Sequence, residues 1–174
     1  MTAGDTYIIP FKGLSAGIHE FRWTLDDRFF GRFPESEILG GSLDVLVTLN
    51  KKSRFLELDF RLEGTLKVPC DRCLDPVAVP SSLQSVLIVR FGDTTHEETD
   101  ELLILAYEEH ELDVAQYIYE YAHLSLPFRK VHGTDQAGQS LCNPEMMKKL
   151  EQYLVERIPE DTEDENDEME FVNN

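Results

Sequence analysis

The chain has 174 residues, 41% of them hydrophobic and 29% charged, enough for one domain with a true core. No apolar run approaches the roughly 18 residues that span a bilayer, and Met1 to Pro10 lacks the basic-then-apolar pattern of a secretory signal, so a cytoplasmic protein without a membrane partner is expected. The formal charge is −18, and eight of the acids fall between Glu160 and Asn174 with no lysine or arginine among them; such a chain repels nucleic acid at long range, leaving local RNA contact or a basic protein partner.

The first two-thirds alternate with period two. Phe21, Trp23 and Leu25 alternate with Arg22 and Thr24. Leu43, Val45, Val47 and Leu49 alternate with Asp44 and Thr48, and Leu56, Leu58, Phe60 and Leu62 with Glu57, Asp59 and Arg61. Each pattern places one set of side chains on a core and the other in water, which predicts strands. Asn50 to Ser53 suits a hairpin connection. After Gly64 the pattern resumes from Thr65 to Val68, and further strands are expected at 85–91 and 102–107, with the acidic stretch 92–101 a loop between them. Phe29 and Phe30, followed by Gly31, Arg32, Phe33 and Pro34, read either as aromatic anchors closing one end of the core or as a partner-binding loop.

The last third reads as helical. Val114, Tyr117, Ile118, Tyr121 and Ala122 recur at helical spacing behind Asp113, a good N-cap, and Ser125 to Pro127 ends the run. Residues 129–142 are polar and contain glycine, so they read as a loop. Asn143 followed by Pro144 starts a second helix, with Met147, Leu150 and Leu154 as its apolar face. The expected fold is α+β: a mainly antiparallel sheet, curved or barrel-like, with helices near 113–124 and 144–157 packed on it. Residues 1–159 form one domain on this reading, and 160–174 a disordered acidic tail.

Cys70 and Cys73 lie three apart on a turn expected to be exposed, between Pro69 and Pro76, a spacing that binds one zinc ion through two thiolates. Cys142 is the only later cysteine, and His132 precedes it by ten residues in the polar loop. Together Cys70, Cys73, His132 and Cys142 would form a three-thiolate, one-imidazole structural zinc site. The same residues also fit reduced thiols in a turn beside an exposed histidine. A thioredoxin-like role fits less well, because that motif opens a helix after a parallel strand. Phosphate loops, nucleophile elbows and metalloprotease motifs are missing, so a non-enzymatic protein is expected. Lys51, Lys52, Arg54, Arg61, Lys67 and Arg72 fall on one β-stretch and the cysteine turn, as an RNA- or partner-contacting strip or as an ordinary solvated sheet face.

The order of segments carries a resemblance. Tyr7 to Leu14 and Gly17-Ile18-His19 come first. Gly64-Thr65-Leu66-Lys67-Val68-Pro69-Cys70-Asp71-Arg72-Cys73-Leu74-Asp75-Pro76-Val77 follows, then Ile118-Tyr119-Glu120 and Leu124-Ser125-Leu126-Pro127. Over about residues 7–155 the chain resembles the YceD family of large-ribosomal-subunit RNA accumulation proteins. The Cys-Asp-Arg-Cys-Leu-Asp-Pro segment is the most specific part. The resemblance implies a role in ribosome biogenesis and accumulation of 23S ribosomal RNA. The implied partner is large-subunit RNA or a pre-ribosomal particle; the charge adds, as an alternative, a basic ribosomal protein escorted by this chain. A thiol- or metal-dependent enzyme using the cysteine pair is the remaining alternative. Many members of that family carry more cysteines after the Leu-x-Leu-Pro segment; here Cys142 is kept and His132 stands among polar residues.

Overall fold

The computed structural model describes residues 6–155. The acidic tail expected at 160–174 lies outside the described residues, as does the end of the second helix beyond 155.

A six-stranded sheet is the backbone of the fold. Its strands are β2 (Gly17–Leu25), β3 (Gly40–Lys51), β4 (Phe55–Pro69), β5 (Pro76–Gly92), β6 (His96–Thr99) and β7 (Leu102–Ala106). They lie in the order β2-β3-β4-β5-β7-β6. The first four form an antiparallel meander, β7 runs parallel to β5, and β6 pairs antiparallel with β7 at the edge. A separate two-stranded pairing joins β1 (Ile8–Ile9) to β8 (Leu112–Asp113). The sheet is open: β2 and β6 are its two ends, so the barrel-like alternative is not the observed one.

The alternation read from the sequence decides which face is buried. Leu43, Val45, Val47 and Leu49 of β3 and Leu56, Leu58, Phe60 and Leu62 of β4 are all at most 2% exposed. Leu87 and Val89 of β5 and Leu103 and Leu105 of β7 extend the same face. Burying each such side chain contributes about 1.5–3 kcal/mol, so this face dominates the stability. Helix α2 (Ala115–Leu124) covers it with Ile118, Tyr121 and Ala122, and Tyr121 meets Phe60 edge-on at 5.0 Å. Phe29 and Phe30, on the short helix α1 (Asp27–Phe30), are each 2% exposed and close one end of the core, as anchors rather than a binding loop.

Three local features depart from the expected elements. The 92–101 segment contains β6, whose His-Glu-Glu-Thr sequence is exposed throughout and so carries no alternation. Strand β5 begins nine residues before the expected Ser85, and Pro80 lies inside it. That proline is tolerated because β7 joins β5 only from Ile88, leaving the far side of Pro80 without a strand to hydrogen-bond. Helix α2 starts at Ala115, two residues after the expected Asp113 N-cap, whose carboxylate nonetheless accepts from the Ala115 N–H at 2.9 Å.

Close approach of β3 to β4 requires two glycines. Gly41 has φ +143°, and a Cβ there would strike the Thr65 carbonyl and come within 2.9 Å of Leu66 Cα. On the facing strand, where Gly64 pairs with Leu43, a Cβ at Gly64 would strike the Ser42 carbonyl. Beyond α2, helix α3 (Pro144–Val155) starts on an Asn143 cap, with Met146 and Met147 packed partly against the core and Leu150 38% exposed.

Candidate metal centre

The turn between β4 and β5 is a knuckle. Pro69 ends one strand and Pro76 starts the next, so six residues must reverse the chain. Cys70 N–H donates to the Asp75 carbonyl at 2.9 Å, and Leu74 N–H to the Cys70 carbonyl at 3.0 Å. Leu74 adopts a left-handed φ of +64° to close the turn. This geometry turns both cysteine side chains to the same side.

The polar loop is stitched across that side. Asp71 N–H donates to the Lys130 carbonyl at 2.7 Å, and Lys130 N–H returns a bond to the Asp71 carboxylate at 2.6 Å. Asn143 Nδ2 donates to the Asp75 carboxylate at 3.1 Å. Between these stitches, Asp135 Oδ1 accepts from the Ala137 and Gln139 N–H groups and folds residues 134–140 into a tight hairpin. His132 and Cys142 therefore stand on the two stems of that hairpin, facing the knuckle. Cys70, Cys73 and Cys142 are 0%, 1% and 3% exposed. The turn is exposed at Asp71, Arg72, Leu74 and Asp75, but the loop covers the two thiols it carries.

The donor atoms of Cys70, Cys73, His132 and Cys142 all lie within 4.8 Å of one another. A tetrahedral zinc with ordinary bond lengths would separate two thiolates by about 3.8 Å and a thiolate from an imidazole by about 3.6 Å. Cys70 Sγ and Cys142 Sγ are 3.8 Å apart, and Cys73 Sγ and His132 Nδ1 are 3.4 Å apart. The residues fit the ion. The histidine ring is also turned as a ligand needs. Its Nε2 lies 3.2 Å from the Pro76 carbonyl, which can only accept, so Nε2 carries the proton and Nδ1 offers its lone pair to the cluster.

The electrostatics favour the ligating form at Cys70 and oppose it at Cys73 and His132. Burial pushes the Cys70 thiol up, but N–H groups of Cys73, Arg72 and His132 and the His132 ring outweigh it and bring it down to about 6. Burial raises Cys73, opposed by the Asn143 and Asp75 N–H groups and reinforced by the neighbouring Cys70 and Cys142. His132 is raised chiefly by Cys70, against burial, with Cys142 and the Pro76 carbonyl adding. Backbone N–H groups aimed at sulfur stabilise thiolate, the form that ligates metal.

The six basic residues are not gathered in the same way. Lys51 Nζ points inward and donates to the Phe11 and Leu14 carbonyls at 2.8 and 2.7 Å. Lys52 is paired with Glu57. Arg61 lies on the solvent face of β4, where the alternation places Asp59 and Glu63 on either side of it. Lys67 is six residues further along that strand, about 20 Å away. It lines a cleft of about 490 Å³ with Arg28, Asp26 and Asp27, whose charges balance. Arg54 is in the β3–β4 turn and Arg72 on the knuckle, both exposed.

A family model described as "Large ribosomal RNA subunit accumulation protein YceD" matches residues 58–170, which include the whole knuckle and its covering loop. The chain belongs to the YceD family. No curated protein and no solved structure matches it. The YceD description names an accumulation factor for large-subunit ribosomal RNA rather than an enzyme. Among the described residues, no helix is long and apolar enough to cross a membrane.

The sequence reading passed over a second concave site. It lies between α2 and the β6 region and is built from Glu97, Asp100, Tyr117, Tyr119, Tyr121 and Glu120. Helical spacing alone places Tyr117 and Tyr121 on a buried helix face. The available signal was that three tyrosines alternate with Ile118 and Glu120, more aromatic surface than one buried stripe needs.

Proposed function

We propose that this protein is a non-enzymatic ribosome biogenesis factor that supports accumulation of 23S ribosomal RNA, and that Cys70, Cys73, His132 and Cys142 hold a structural zinc ion. The family match supports the process. The four-ligand closure, with every sulfur buried, is the observation that supports a structural site: four protein ligands leave no position for substrate or activated water. When bound, zinc would fasten the 129–142 loop to the β4–β5 turn and fix the start of α3. The lowered Cys70 thiol resembles that of a thiol-redox enzyme, but its sulfur is enclosed, whereas an attacking thiolate must be reachable.

Depleting the protein is expected to lower the ratio of 23S to 16S RNA, with recovery on re-expression; an unchanged ratio would overturn the reading. Protein purified without chelator is expected to carry one equivalent of zinc, and the Cys70→Ser, Cys73→Ser double variant none. Thiol–disulfide exchange activity that depends on Cys70 would remove the non-enzymatic part.

A second reading, as an acidic escort for a basic ribosomal protein in the same process, is favoured by the −18 charge and the dispersed basic residues. Binding to a purified basic ribosomal protein, and not to naked RNA, is its expected outcome.

A further inference from the structure

The groove beside α2 has a volume of about 360 Å³ and is lined by Glu97, Asp100, Tyr117, Tyr119, Glu120, Tyr121, His123 and Leu124. Three carboxylates and three phenol rings converge there, and no lysine or arginine is among the described lining residues. The carboxylates are only partly engaged. Tyr117 donates its hydroxyl to Glu97 Oε1 at 3.1 Å, and Gln116 Nε2 donates to Glu120 Oε1 at 2.8 Å, leaving one oxygen of each.

Two facts point to a cationic occupant. The Tyr121 side chain is 5% exposed, and its buried hydroxyl has no hydrogen-bond partner among the described residues. A buried polar atom left this way costs free energy and leaves room for a partner, which for a hydroxyl can be a donor such as a guanidinium. The local potential is also negative. Burial raises the Tyr121 phenol, the neighbouring Ser85 hydroxyl opposes this, and Glu120, Glu101 and Asp100 add to it. Tyr117 is raised well above its ordinary range by burial and then by Glu97 and Glu120. Burial, the larger cause in both, disfavours any charge; the surrounding carboxylates are what favour a cation here.

We propose that this groove receives an arginine side chain from a basic polypeptide segment. The guanidinium lies against the tyrosine rings, donates to the Tyr121 hydroxyl oxygen and pairs with the free oxygens of Glu97, Asp100 and Glu120. Arginine suits the site better than lysine because its planar fork both stacks on aromatic faces and bonds several acceptors at once. Phosphate-bearing partners are disfavoured by the same carboxylates. Phe33 stacks on Tyr119 at 3.8 Å and 13°, and His123 Nδ1 lies 3.0 Å from the Tyr119 carbonyl, so Tyr119 is held in place before any ligand arrives. The proposal rests on the escort reading given above.

The test is fluorescence anisotropy of the full chain with a labelled peptide of alternating arginine and serine, at roughly 0.15 M salt to suppress long-range attraction. Replacing Glu97→Gln, Asp100→Asn and Glu120→Gln together should raise Kd by about tenfold or more. Glu20→Gln, Asp59→Asn and Glu63→Gln, which remove the same charge from the opposite sheet face, should change it by less than about twofold. Tyr121→Phe is the sharper variant: it should weaken binding while leaving the melting temperature unchanged or higher, since it deletes an unpaired buried hydroxyl. A citrulline-for-arginine peptide should not bind. Equal weakening by the two charge sets, or a Tyr121→Phe variant that binds normally, would overturn the groove and leave the escort reading standing. No binding of the arginine peptide, together with no binding of a basic ribosomal protein, would overturn both. Displacement of the peptide by an RNA oligonucleotide, lost in the groove variant, would also overturn the proposal.

Discussion

The sheet between Gly17 and Ala106 and the segment from Leu126 to Val155 are held by different physics. In the sheet, stability is spread over a continuous buried face, where Leu43, Val45, Leu58, Phe60, Leu62 and Val89 support one another. In the loop, Gly133 to Leu141 are all exposed, and the segment is fixed at points: the Asp71–Lys130 stitch, the sulfur–imidazole cluster and the Asn143–Asp75 bond. A distributed surface degrades gradually when one member is lost. A set of point attachments loses a whole segment with one attachment and leaves the rest of the molecule standing.

The sharpest break on the sheet side is Phe60→Ala. Phe60 is fully buried, pairs with Val47 and Ser85 across its neighbours, and meets Tyr121 of the covering helix. Its removal leaves a cavity at the sheet–helix contact and should cost about 3–5 kcal/mol in urea unfolding. A loss below about 1.5 kcal/mol would mean that the helix collapses readily onto the sheet, so that the core is less tightly packed than its burial implies.

On the loop side, Cys142→Ser is the corresponding break. Amide exchange over residues 130–142 should accelerate by about hundredfold, while amides of β3 and β4 keep their protection to within about 1 kcal/mol. Chelation of metal from the parent protein should produce the same pattern. Uniform loss of protection across both regions would show that the staple and the sheet unfold as one unit and would end the comparison.

What could be read from the sequence follows the same division. The meander was legible because Leu43 to Leu49 and Leu56 to Leu62 are buried on one face only, which writes period two into the chain. Strand β6 and the β1–β8 pair were not, since an exposed edge strand and two-residue strands leave no periodicity. The early part of β5 was hidden by Pro76 and Pro80, which ordinarily end strands and here sit where the sheet has no further neighbour. Spacing marks Cys70 and Cys73, Cys142 is the only later cysteine, and His132 stands ten residues before it in the same polar loop. The inward turn of both thiols was not legible, because it depends on the loop that covers them. Nor was the fate of Lys51, which satisfies carbonyls of an N-terminal turn distant in sequence.

The smallest expected effect separates two roles of one residue. Asn143 Oδ1 accepts from the Glu145 N–H at 3.1 Å and lies 3.4 Å from the Met146 nitrogen, capping α3, while its Nδ2 donates to Asp75 on the knuckle. Asn143→Ala removes both and should cost the last segment about 1 kcal/mol. Asn143→Asp keeps an equally good cap, because a carboxylate also accepts from those N–H groups and suits the positive end of the helix. It cannot donate to Asp75, however, and it sets two carboxylates against each other across the bond it replaces. The loss in Asn143→Asp should therefore be relieved by Asp75→Asn, which restores a donor facing an acceptor, whereas Asp75→Asn should do nothing for Asn143→Ala. The measurement is a double-mutant cycle on helix and loop exchange rates. A coupling energy near zero would assign the Asn143 side chain to the cap alone and leave α3 tied to the knuckle through Cys142 and the Asn143 N–H beside the Cys73 sulfur.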